Sequence, residues 1–228
     1  MRATSRRRPA SSRGISIPEI LIAAAIGMSA IGLLIGMCRP ILTAQTVEQT
    51  STGEIQAVDA ALYRLQRDVR QSDTNGIFVC TSVNNAITCT QASAFNSPTD
   101  APALAILTAE SGGSGPTRWD SSGHPLWTGF KVYWLAAGAD GSDAMYIAFE
   151  PASVSLSAEP SVLNADAAQA VSAALATSGP DRVADDILSL QSYADVTKDH
   201  VALRITALEN PSDPSSQLSV QGDAYARN

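Results

Sequence analysis

The sequence predicts an α+β protein, a long N-terminal helix packed on an antiparallel β-sheet head. Three observations carry that expectation. Residues 15–37 are apolar apart from one carboxylate, Glu19. A stripe at helical spacing follows through Val58, Leu62, Leu65 and Val69. After Asn75-Gly76 the pattern changes to short β-branched and aromatic runs separated by turn residues.

The 228 residues suffice for one domain and an extension. Aromatic residues are 5% and charged residues 16%, so the core is expected to pack through small side chains. The formal charge of −7 is unevenly spread. Arg2, Arg6, Arg7, Arg8 and Arg13 lie in the first 14 positions, which hold no acid. The remainder carries ten basic against 22 acidic side chains. Such an acidic body argues against a nucleic-acid partner, whose phosphates need a basic surface. Basic residues just before an apolar run instead orient a membrane segment, with the positive end cytoplasmic.

The run from Ile15 to Met37 is 23 residues, long enough to cross a bilayer as a helix. Pro18 falls in the first turn, where its missing N–H costs nothing. Gly27, Gly32 and Gly36, with Ala23, Ala24, Ala25, Ser29 and Ala30, permit close helix contact in lipid. Glu19 is the odd residue. A carboxylate in hydrocarbon costs several kcal/mol unless paired or protonated, so it invites a functional reading. At the interface, beside a helix N-terminus, it would be tolerated without one. Other targeting signals fit less well. A secretory signal would not carry Glu19 in so long a core. Nothing after Arg6-Arg7-Arg8 completes a twin-arginine signal. Ile35-Gly36-Met37-Cys38 places a bulky Met where a lipoprotein signal has a small residue.

A basic leader ending in Gly14, an apolar Ile15, Glu19 four residues on and then an apolar helix together resemble the leader of type IV pilins and type II secretion pseudopilins. The family usually has Phe where this chain has Ile15, and Pro18 replaces a commonly apolar residue. The resemblance implies cleavage after Gly14 by a prepilin peptidase and methylation of the new Ile15 amine. A 14-residue leader and a 214-residue mature subunit would result. It also implies an assembly role for Glu19, pairing with the N-terminal amine of a neighbouring subunit. Desolvation makes such a pair worthwhile only in good geometry, which would favour correct axial register.

Beyond Arg39-Pro40 the stripe Val47, Ile55, Val58, Leu62, Leu65 and Val69 is expected to pack on the head. Pro40 is read as a kink rather than an end, and Gly53 as a place to bend. Asp59, Arg64, Arg67, Asp68 and Arg70 are expected on a polar face turned to solvent or other subunits. The organisation is therefore a leader over residues 1–14, a membrane half over 15–38, an amphipathic half over 39–73 and a β-rich head over 74–228. One helix from Ile15 to Ser72 would measure about 87 Å.

In the head, Ile77–Val83 and Ala86–Cys89 read as a hairpin closed by Asn84-Asn85, residues that accept positive φ. Counting outward pairs Val83 with Ala86, Ser82 with Ile87, Thr81 with Thr88 and Cys80 with Cys89. The last pair is of the closer, non-hydrogen-bonded kind, within disulfide range. A chain segment beyond the membrane lies in an oxidising space, so a Cys80–Cys89 disulfide is predicted, with Cys38 left unpaired. Residues 91–123 read mostly as loop around a short apolar strand, Ala103–Leu107. Further strands are expected at Phe130–Leu135, Ala144–Phe149, Ile187–Ser192 and Val201–Leu208, with an edge strand at Leu218–Gln221. Residues 167–176 are read as a short helix or loop. Leu62–Arg70, the pair Val183–Leu190 and Val201–Ile205, and the ending Ala226-Arg227-Asn228 resemble the PilW-like minor pilins and J-type pseudopilins.

No catalytic, metal or cofactor site is expected. His124 and His200 lack companions at metal-ligand spacing. Gly112-Gly113-Ser114-Gly115 lacks the Lys of a phosphate loop. Asp140–Asp143 and Asp181–Asp186 match no full calcium loop and are read as solvated turns. The expected function is a minor pilin that primes a type IV pilus or sits at its tip. Its expected partners are the prepilin peptidase, other pilins and the inner-membrane assembly platform. The alternatives are a type II secretion pseudopilin and a signal-anchored periplasmic binding module that does not assemble. The expected location is the inner membrane, single-pass with the head in the periplasm, and then the filament.

Overall fold

A computed structural model describes residues 17–83, 86–121, 123–137, 143–156, 163–177, 179–195, 200–208 and 215–225. The chain divides into two units, Met1–Glu48 and Gln49–Asn228. The division falls within the first helix, α1, which runs Ile17–Gln71 without ending at Pro40 or Gly53. In the first unit, Ile17–Ile35 has a mean hydropathy of 2.0 and none of it is buried. This segment is long and apolar enough to serve as a single membrane anchor. The Ser29 hydroxyl donates to the Ala25 carbonyl at 2.9 Å, so the helix satisfies its own polar side chain.

In the second unit, α1 is part of the head. Val58, Ala61, Leu62, Leu65 and Val69 are buried, as the helical stripe predicts. The helix stops at Gln71, and the chain turns through a 3₁₀ segment, Thr74–Gly76. The Asp73 carboxylate accepts from the Asn75 backbone N–H at 2.7 Å and caps that turn.

Among the described residues ten strands follow: β1 Ile77–Val83, β2 Ala86–Gln91, β3 Thr99–Asp100, β4 Ala103–Thr108, β5 Trp127–Ala137, β6 Asp143–Leu156, β7 Asp181–Asp185, β8 Ile187–Asp195, β9 His200–Leu208 and β10 Gln217–Tyr225. A second helix, α2, occupies Asn164–Ala176 between β6 and β7. The strands form two antiparallel sheets, ordered β2-β1-β4-β5-β6-β7 and β10-β9-β8-β3. The architecture is pilin-like, a long N-terminal helix with an apolar first part packed against an antiparallel β head.

Strand alternation sorts the larger sheet into two faces. Ile77, Val79, Leu104, Ile106, Tyr133, Met145 and Ile147 join α1 in one core. The inner residues of the smaller sheet, Leu190, Val201, Leu203, Ile205 and Ala207 among them, complete it. Phe78, Ala103, Ala105, Leu107, Phe130, Val132 and Trp134 face the other way, onto Ala167, Ala170, Val171 and Ala174 of α2. Alanines on α2 and β4 together allow helix and sheet to approach closely, the small-residue packing that the composition implies.

The expected short apolar strand at Ala103–Leu107 is present as β4, at the buried centre of the larger sheet, where it pairs with both β1 and β5. Another expectation is overturned. Residues 181–185 are not a solvated turn. They form β7, paired with β6. Asp186, at φ 54°, makes the corner into β8, a left-handed position that Asp tolerates. Most of the turn at residues 140–143 lies outside the described residues, as do Asn84-Asn85 and Ala226-Arg227-Asn228.

Candidate functional site

Of the residues singled out in the sequence, Gly14 and Ile15 lie outside the described residues. Glu19 stands in the first turn of α1, exposed in a segment with no other charge. Its carboxylate is suited to the partial positive charge of the helix start. Cys38 lies in α1 where side chains are not described. Cys80 and Cys89 form the predicted disulfide, with Cα atoms 4.1 Å apart. All four pairs counted from the Asn84-Asn85 turn are found in that register. The bridge lies against α2 in the outer core, and Cys80 also borders an apolar hollow of about 190 Å³ with Ile87, Trp134, Val171 and Leu175.

A second polar centre lies under α1, and the sequence reading missed it. Asp68, expected on the polar face, is only 2% exposed. Its Oδ1 accepts from Lys131 Nζ at 2.8 Å and from the Arg67 guanidinium at 3.1 Å. Its Oδ2 accepts from the Tyr133 hydroxyl at 2.6 Å. Lys131 Nζ also donates to Glu110 Oε2 at 2.6 Å. Two carboxylates and two cations thus balance. Lys131 is 3% exposed, Glu110 11% and Arg67 51% as side chains.

Each member is placed by its element. Lys131 and Tyr133 alternate with Phe130, Val132 and Trp134 on β5, so they face α1 while the larger apolar residues face α2. Asp68 is set three residues from Leu65 on the packed side of α1. Glu110 is held by its backbone. Its N–H donates to Thr108 Oγ1 at 3.2 Å, and its carbonyl accepts from Thr128 Oγ1 at 2.7 Å. Burial, and then the Asp68 charge, push the Tyr133 phenol far above its usual range, so it remains a donor. The charge of Asp68 also raises Arg67. The signal available in the sequence was Lys131 itself, a cation inside an otherwise apolar strand.

Three further titratable groups lie outside this cluster. Glu54 on α1 is raised by burial and then by the charges of Asp186 and Asp185. His200 Nε2 lies 3.0 Å from Asp223 Oδ1, and its ring stands 5.8 Å from that of Tyr225 across the β9–β10 pair. His124 stays in a loop, 80% exposed, 3.6 Å from Asp120. Among the described residues no group of three or more His, Cys, Asp or Glu is placed to hold a metal ion.

No protein-family model, no curated protein and no solved structure matches this chain.

Proposed function

We propose that this chain is a minor subunit of a type IV pilus, held in the inner membrane until it primes a filament or joins its tip. The observation that carries the reading is α1, a single helix from Ile17 to Gln71. Its first 19 residues are apolar apart from Pro18, Glu19 and Ser29 and are exposed, and its last turns are built into a β head. One element therefore contributes both a lipid-soluble segment and part of the core of a folded domain. The resemblance of Gly14, Ile15 and Glu19 to a prepilin leader supports processing after Gly14 and methylation at Ile15. Glu19 would then meet the amine of a neighbouring subunit within lipid, where a carboxylate needs a partner. The peptidase, the other pilins and the assembly platform are the partners this reading requires.

The test is the N-terminal peptide of the membrane form, with and without an active prepilin peptidase. A methylated Ile15 start that disappears in the peptidase-free strain supports the reading. An uncut leader with the peptidase present rejects it and leaves a signal-anchored protein.

A further inference from the structure

We propose that the chain joins Lys131 to Asp68 through an intramolecular amide bond, with Glu110 carrying the protons. Four groups that this condensation needs are already in place. The nucleophile, Lys131 Nζ, is 2.8 Å from Asp68 Oδ1. The proton carrier, Glu110 Oε2, is 2.6 Å from the same nitrogen. The Tyr133 hydroxyl is 2.6 Å from Asp68 Oδ2, the oxygen on which negative charge grows as the carbonyl carbon is attacked. Both reacting side chains are buried, Asp68 1% and Lys131 3% exposed.

The step balances without any co-reactant. Glu110 takes one proton from the ammonium, which frees the nitrogen lone pair. Glu110 passes that proton to Oδ1, which makes Asp68 a neutral carboxyl with an electrophilic carbon. Nζ attacks Asp68 Cγ, forming the C–N bond as the π pair of the carbonyl moves onto Oδ2 beside the Tyr133 hydroxyl. Glu110 then takes a second proton from the nitrogen and passes it to Oδ1. The Cγ–Oδ1 bond breaks, and Oδ1 leaves as water. Glu110 ends as the carboxylate it began as, and nothing is oxidised or reduced. Arg67, half exposed, contacts the departing Oδ1 and marks its route to solvent.

Two physical arguments favour the product. Groups held in contact react with effective concentrations of about 10⁵–10⁸ M when well oriented, which offsets the usual cost of amide formation in water. The product also replaces a buried ion pair by a neutral group, removing two desolvated charges. Neither polar atom of the new amide is orphaned. Its N–H faces Glu110, and its oxygen keeps the Tyr133 hydroxyl. The bond would tie α1 to the middle of the larger sheet.

Peptide mass spectrometry of the full chain, reduced, alkylated and digested with trypsin, decides the matter. The expected product is Asp68–Arg70 attached to the peptide from Trp119 to Arg182, one water lighter than their sum and uncut at Lys131. This readout does not depend on where the chain begins, so it stands or falls apart from leader processing. Recovery of Asp68–Arg70 as a free tripeptide, with cleavage at Lys131, overturns the proposal and leaves an ion pair. Glu110→Ala is expected to abolish the cross-linked peptide. A folded Glu110→Ala protein that still carries it overturns the proton-carrier role as stated.

Discussion

Lys131 Nζ lies 2.8 Å from Asp68 Oδ1, a contact between residues 63 apart in the chain. It joins the last turn of α1 to β5, one of the two central strands of the head's larger sheet. Lys131→Met is expected to destabilise the protein by about 3–5 kcal/mol, because Asp68 and Glu110 are left as buried charges without their common partner. Thermal or urea unfolding of the detergent-solubilised chain measures the loss. A change below about 1 kcal/mol would show that water already reaches the site.

The disulfide closes a short loop, with Cys80 and Cys89 nine positions apart. Replacing both by Ala is expected to cost about 2–3 kcal/mol by the loop-entropy estimate. Removing both residues avoids a free thiol. The comparison is a pair of melting curves under oxidising conditions, and the two should converge when a reductant is added.

Gly222 lies where β10 passes beneath α1. A Cβ there would run into the Gln66 side-chain amide and stand 3.2 Å from Leu62 Cδ2. Gly222→Ala should therefore destabilise by about 1 kcal/mol, and Gln66→Ala should restore part of it, a coupling typical of residues in contact. Additive effects in the double-variant cycle would contradict the close approach.

Glu54 titrates in the sense opposite to a salt-bridged carboxylate. Burial and the charges of Asp186 and Asp185 raise its pKa above 4.5 in the folded state. The folded chain then binds the proton more tightly than the unfolded one, so this contribution is complete below pH 4.5 and is lost as pH rises through the raised value. Glu54→Gln is expected to raise the melting temperature at neutral pH, with the gain shrinking toward pH 4.5. A gain that is the same at both pH values would contradict the shift.

Glu19→Ala separates assembly from folding. It should leave the head's melting temperature unchanged, since Glu19 belongs to the other unit. Incorporation into filaments, scored by immunoblot of sheared surface material, is expected to fall to background. Normal incorporation would remove Glu19 from the assembly role.

Local pattern made much of this legible. The apolar run and the later stripe give α1, and counting from two asparagines gives the β1–β2 register residue by residue. Alternation along Val201, Leu203, Ile205 and Ala207 correctly assigns the buried face of β9. Partner choice was not legible. Nothing local says that β4 lies between β1 and β5, or that the strands divide into two sheets, because those pairings are set by contacts distant in sequence. Nor does β7 announce itself, since Asp181, Arg182 and Asp185 give an exposed edge strand the composition of a turn. Asp68 was misassigned for a related reason. A charge on an amphipathic helix reads as solvent-facing until the opposite strand supplies a buried cation.

The burial of Val58, Ala61, Leu62, Leu65 and Val69 fixes where the head can be cut free. A recombinant head that begins after α1, at residue 74, would discard a wall of its own core and leave Lys131 among apolar side chains without Asp68. Such a fragment should aggregate. One that begins between residues 36 and 49 keeps the whole second unit and omits the lipid-soluble segment. The unit that keeps its core intact is thus a head that carries its own length of helix.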